Sequence, residues 1–140
     1  MASIFGRIID GEIPGRFVWK DDRCVGLVDI NPLRSGHTLV IPRVEVDHWL
    51  DLEPGLAIHC FTVARVIGEA QMRVFRPARI GLVIAGFEVP HAHLHVIPAE
   101  TMADFDFTNA ERNPDPAALD DTCVRLRADL RAAGHAEADA

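Results

Sequence analysis

Apolar residues recur along this chain with two different periods, and the changes of period divide it into elements. Leu56, Cys60, Val63, Ile67, Ala70 and Val74 step by four and by three, the spacing of one helical face, and predict a helix starting near Glu53-Pro54. Leu119, Cys123, Leu126 and Leu130 repeat that step, with Asp115-Pro116 as N-cap and first-turn proline and Gly134 as the stop. A shorter stripe, Ile4, Phe5, Ile8 and Ile9, follows a capping Ser3 and ends at Gly11. Elsewhere the apolar runs are short and bounded by turn residues, which predicts strands. Phe17-Val18-Trp19 and Cys24 to Val28 form a hairpin about Asp21-Asp22. His37 to Pro42 and Arg79 to Ala85 are two further strands. In the fifth, from His91, alternation is strict: His91, His93 and His95 fall on one side, Ala92, Leu94 and Val96 on the other, and Pro98 closes the segment.

Strands joined by short turns, with helices inserted singly, favour an α+β domain with a mostly antiparallel five-stranded sheet, two main helices and a short N-terminal helix. One domain is expected over residues 1–134, with its core in 3–100, a last helix at about 115–133 and a frayed tail from His135 to Ala140. A formal charge of −7 argues against nucleic-acid and anionic-membrane partners, which need a basic footprint. Cys24, Cys60 and Cys123 form no CxxC pair and no ligand spacing, so reduced, partly buried thiols and a cytoplasmic compartment are expected. The opening Met1 to Arg7 lacks the apolar run of a signal peptide, and no stretch approaches a membrane span.

The chain has seven histidines, and the strand with three of them carries the chemistry. One reading is a polar face that happens to be rich in histidine; buried imidazoles would then each need a partner. A second is a metal site, since His-x-His on a strand presents two nitrogens to zinc, with Glu88, His48 or His37 brought near by folding. A third is a histidine nucleophile oriented by its neighbours and attacking phosphorus. Adjacent imidazoles suppress one another's protonation, which keeps at least one ring neutral.

The spacing His91-x-His93-x-His95 resembles the signature of the histidine triad (HIT) family of nucleotide hydrolases and transferases. The resemblance extends to Ile4 to Pro14, to Leu27-Val28-Asp29-Ile30-Asn31-Pro32, to Gly36 to Pro42 and to Val89-Pro90, covering about residues 3–100. It implies a HIT-like fold and a homodimer whose sheets join across the subunits. It also implies that His93 attacks the α-phosphorus of a purine nucleotide conjugate, giving a nucleotidyl-histidine that water hydrolyses. His95 would contact phosphate oxygens, His91 would help to orient the central ring, and His37 would support the network. Asp29 would accept from ribose hydroxyls, and Phe5, Ile8, Leu27 and Ile30 would wall the base pocket.

The chain departs from the family's pattern in the loop before the triad, which carries no amide: Phe87 stands where Gln is common, and Glu88 either holds an amine leaving group or faces solvent. Cysteines that bind a structural zinc in some bacterial relatives are replaced by Ser3 and Gly6. No such zinc is therefore expected, with His48 and His91 as relics of that site, and no cofactor is required. The substrate reading is a purine nucleoside phosphoramidate, with a dinucleoside polyphosphate as the alternative. A metal-dependent enzyme using His-x-His, and a nucleotide-binding module with weak catalysis, are the readings from other classes.

Overall fold

The computed structural model describes residues 2–139. Among these, five strands form one antiparallel sheet: β1 (Phe17–Lys20), β2 (Cys24–Val28), β3 (Thr38–Pro42), β4 (Arg79–Val83) and β5 (Leu94–Ala99), in the order β1-β2-β3-β5-β4. Helix α1 (Ile4–Ile9) opens the chain, α2 (Pro54–Phe75) follows β3, and α3 (Pro116–Ala132) follows β5. The expected α+β architecture is the observed one. No helix among the described residues is long and apolar enough to cross a membrane.

Each helix starts where a side chain satisfies its free amides. Ser3 Oγ accepts from Gly6 N, Glu53 from Gly55 N and Leu56 N, and Asp115 from Ala117 N. The apolar stripe of α2 buries Cys60, Val63, Ile67 and Ala70 against the sheet. Full burial of a side chain such as Ile67 is worth about 1.5–3 kcal/mol, so the stripe anchors the helix far more firmly than its intrinsic propensity does. Buried Gln71 on the same helix donates to the carbonyls of Gly36 and Val96, tying α2 to the start of β3 and to β5. Gly36 has φ +96°, and a Cβ there would lie 2.7 Å from the Phe75 ring, so the turn entering β3 admits only glycine.

Three expectations are corrected. The strand of the triad begins at Leu94, not at His91, because the backbone before it bonds elsewhere: Ala92 N donates to Val46 O. Pro98 does not close that strand, which continues to Ala99. Pairing of β5 with β3 ends at Val96, so beyond it only β4 lies alongside, and a proline there costs no bond to β3. From His135 to Asp139 the tail is folded rather than frayed, and Ala140 lies outside the described residues. Ala136–Asp139 form a 3-10 turn, Ala138 is 1% exposed within the main core, and its carbonyl accepts from Arg127 Nε. Sequence reading missed this because a lone alanine carries no periodic signal.

Candidate active site

The site lies where β2, β3 and β5 end beside α1. His95 is held on β5 opposite Leu39 of β3 and Val83 of β4. His37 sits in the turn entering β3, Asp29 just beyond β2, and Phe5 on the buried face of α1.

Backbone partners fix where the protons sit on three buried imidazoles, and His37 in turn fixes a fourth. Leu33 N–H donates to His37 Nδ1 at 3.0 Å, so the proton of neutral His37 is on Nε2, and it points at His95 Nδ1, 2.9 Å away. Having accepted there, His95 keeps its own proton on Nε2, the donor that this ring offers to the cavity. A carbonyl can only accept, so His93 Nδ1–H donates to His91 O at 2.7 Å, which leaves the lone pair of His93 on Nε2. His91 Nε2–H likewise donates to Pro42 O at 2.7 Å, and its Nδ1 accepts from Ser3 Oγ. One histidine thus presents a nucleophilic nitrogen beside another that presents a hydrogen-bond donor.

Burial favours the neutral form of His37, His93 and His95. It lowers His37 to about 3, with His95 and His93 adding to the effect, and lowers His95 to about 4, with His93 adding to it. His93 is also lowered, first by burial, although its bond to the His91 carbonyl works the other way. The rings of Phe5, His93, His95 and Phe107 stand in a row, each edge to face with the next at centroid distances of 4.8, 4.8 and 4.9 Å.

Not all three triad side chains share a face. His91 is fully buried and lies outside the row, bonded to α1 and β3, and its contribution to His93 is its carbonyl rather than its ring. Ser3 bonds His91 directly, while exposed His48 accepts from Leu50 N at the start of a short 3-10 turn.

A cavity of about 200 Å³ opens over His93 and His95 and is lined by Phe5, Ile8, Leu27, Asp29, Ile30 and Glu88, all anticipated from the sequence. Ile4, Val28, Asn31, Leu39 and Val89 complete it and were not anticipated. For Leu39, two residues from His37, the period of one strand face was the available signal. A neighbouring cavity of about 170 Å³ is lined by Ala85, Gly86, Phe87, Glu88, Phe107 and the same two histidines. Glu88 is exposed and stands at the junction of the two cavities, and Phe87 is 96% exposed at their rim.

Asp29 Oδ1 accepts from Asn31 N, and Oδ2 lies 3.4 Å from His37 Nε2. Burial pushes its carboxyl up to about 6; the Asn31 amide pulls it back and the charge of Glu88 adds to the rise. Asp29, His37 and His95 converge closely enough to hold a cation. Two of these three atoms, however, already share the proton that sets the tautomer of His95.

A protein-family model described as HIT domain matches residues 10–102. The chain belongs to the HIT family. It is 34% identical over 116 residues to an uncharacterized HIT-like protein of Borreliella burgdorferi, covering 78% of this chain and 84% of that one. It is 39% identical over 83 residues to the asymmetrical bis(5'-nucleosyl)-tetraphosphatase of Schizosaccharomyces pombe, covering 56% of this chain and 45% of that protein. Among solved structures it is similar to a zinc-bound histidine triad family protein from Mycobacterium smegmatis, with a TM-score of 0.81, 27% identity and coverage of 95% and 96%.

Proposed function

We propose that this HIT protein is a nucleotide hydrolase that cleaves purine nucleoside phosphoramidates, or similar nucleotide conjugates, at the α-phosphorus. The observation that carries this reading is the proton arrangement: His93 Nε2 has its lone pair free beside a cavity that also holds the His95 donor. His93 Nε2 bonds to phosphorus as the bond to the leaving group breaks, and the leaving atom departs with its electron pair and takes up a proton. Water then attacks the phosphorus, releasing the nucleoside monophosphate and restoring His93. Two displacements replace one harder step, and the His95 donor stabilises charge on the phosphoryl oxygens. Asp29 accepts from the ribose hydroxyls, while Phe5, Ile8, Leu27 and Ile30 enclose the base. Phe5 and Phe107 exclude water from either end of the row of rings.

Glu88 supports an amine as the leaving group. Its carboxylate attracts a cationic substituent and repels the further phosphates of a dinucleoside polyphosphate. The polyphosphate reading is kept as the second, because the S. pombe relative bears the name of a tetraphosphatase. The homodimer implied by the family is part of the proposal: edge strand β4 and a groove lined by the exposed Phe61, Met72 and Leu82 suit a second copy. Sedimentation at graded concentrations tests it, with a monomer throughout rejecting it.

The deciding experiment incubates the protein with an adenosine phosphoramidate, and separately with diadenosine tetraphosphate, beside His93→Ala, and searches for an AMP adduct by mass spectrometry. Wild type is expected to release AMP and to carry the adduct on His93, with the phosphoramidate turned over faster; the variant loses the adduct and at least about 10³-fold in rate. Faster cleavage of the tetraphosphate selects the second reading. Nucleotide binding with neither AMP nor adduct makes the protein a binding module, and undiminished activity in His93→Ala rejects the mechanism.

A further inference from the structure

At the far end of β2 from Asp29, a second group of ligand-type side chains converges. Asp21 lies in the hairpin between β1 and β2, Cys24 opens β2, and His59 comes from the first half of α2. Asp21 Oδ2 lies 2.7 Å from His59 Nε2 and 3.6 Å from Cys24 Sγ, and the three potential ligand atoms all lie within 4.8 Å of one another. Cys24 is fully buried, whereas the His59 side chain is 27% exposed, so the group is reached from solvent on the helix side.

We propose that Asp21, Cys24 and His59 form a zinc site that fastens the β1–β2 hairpin to α2. Thiolate sulfur, imidazole nitrogen and carboxylate oxygen are together the donor set of a borderline-soft ion, and magnesium or calcium would not choose a thiolate. Zinc bonds of about 2.0–2.3 Å at tetrahedral angles separate ligand atoms by roughly 3.3–3.6 Å. The sulfur–oxygen pair already has that spacing. The nitrogen–oxygen pair has to open by roughly 0.6 Å, as the ion replaces the proton between them.

On binding, Cys24 releases its thiol proton to solvent, His59 keeps one proton by moving it to Nδ1, and Asp21 contributes its negative charge. Two anionic ligands and one neutral ligand balance the charge of the ion, and water takes the fourth position. The carboxylate is held for this role. Arg23 N and Cys24 N donate to Oδ1, each at 2.8 Å, and Trp19 Nε1 donates to Oδ2 at 2.8 Å. Outer donors of this kind orient a metal-binding carboxylate. Residues 21, 24 and 59 make no sequence motif, because the third ligand arrives from another element.

The test uses the full chain, stripped with chelator under reducing conditions and titrated with Co²⁺ and then Zn²⁺. One Co²⁺ per chain with a sulfur-to-cobalt charge-transfer band in the near ultraviolet is expected, the band bleached by one equivalent of Zn²⁺. Saturating Zn²⁺ is expected to raise Tm by several degrees. Cys24→Ser loses both the band and the Tm shift, and Cys123→Ser, whose thiol instead bonds the Phe17 carbonyl, keeps both. Should serine at this buried position unfold the chain, His59→Gln at a partly exposed position serves instead and weakens Co²⁺ binding at least tenfold, on the order of other lost metal contacts. Absence of the band in wild type, its survival in Cys24→Ser, or its loss in Cys60→Ser but not Cys24→Ser would overturn the assignment. So would a Zn²⁺ effect abolished by His37→Asn alone, which places the ion at the catalytic histidines.

Discussion

Asp21 and Asp29 flank the same strand, each with a histidine nitrogen beside one carboxylate oxygen, and the fold treats them in opposite ways. Burial works to raise the Asp21 carboxyl, but donations from Trp19, the Cys24 and Arg23 amides and His59 outweigh it and hold the group well below the usual carboxylate range. Asp29 receives one backbone amide, and burial prevails, so its carboxyl rises to about 6. A carboxylate saturated with donors is part of the framework. One that is buried and short of donors is kept ready for hydrogen bonds that arrive with a ligand, and such disfavoured groups gather at functional sites.

The largest expected effect lies at the saturated end. Asp21→Ala removes five donations to one carboxylate, among them the indole bond that steadies the hairpin and the imidazole bond that joins it to α2. With chelator present, a loss of about 3 kcal/mol is expected, since hydrogen bonds to charged groups are worth about 1.5–3 kcal/mol each and the site is part-exposed. For a chain of this size that lowers Tm by about 10 °C, measured by thermal unfolding, while kcat/KM of the intact protein stays near wild type. A variant that keeps its stability and loses activity would reverse the comparison.

At the unsaturated end the effect moves from stability to binding. Asp29→Asn keeps the side-chain size but replaces an acceptor-only group by one that also donates. KM for a nucleotide substrate is expected to rise about 10- to 100-fold, the loss of one or two charge-assisted bonds, with kcat much less changed. Steady-state kinetics against matched ribo- and 2'-deoxyribonucleotides sharpens the point: the variant should lose most of the wild-type preference for the ribose hydroxyl.

These two carboxylates also show how far the sequence could be read. The helical stripe from Leu56 to Val74 and the Asp115-Pro116 cap announced α2 and α3, because their signals are local and periodic. The triad, Asp29 and the apolar Phe5, Ile8, Leu27 and Ile30 were legible through the family spacing, and the fold brings all of them except His91 around one cavity. Three features were out of reach for a common reason. The brace of His91 against Ser3, the bond from His59 to Asp21 and the burial of Ala138 each join residues separated by many positions in the chain, and no periodicity records such a partner. Phe107 could not be placed from the sequence, since nothing in its neighbourhood foretells its packing against His95.

A change of slope rather than of level is the most discriminating effect, because it reads the raised carboxyl against the lowered imidazoles in one measurement. His37 and His95, at about 3 and about 4 in the folded protein against an ordinary 6.5, favour folding fully above pH 6.5 and lose that contribution as the pH falls through the window below it. Asp29 acts with the opposite sign. Its folded value of about 6 exceeds the ordinary 3.8, so between these pH values the folded chain holds a proton that the unfolded chain does not, and acid relieves the penalty of burying its charge. The wild-type acid limb is therefore shallower than the histidines alone would make it. Asp29→Asn removes the opposing group, and its stability is expected to fall more steeply than wild type by about 1.4 kcal/mol per pH unit between roughly pH 6 and 4. Urea unfolding at half-unit steps of pH measures the two slopes. Parallel limbs would mean that Asp29 carries its charge at no cost in the folded chain, and the contrast with Asp21 would then lie in the number of hydrogen bonds alone.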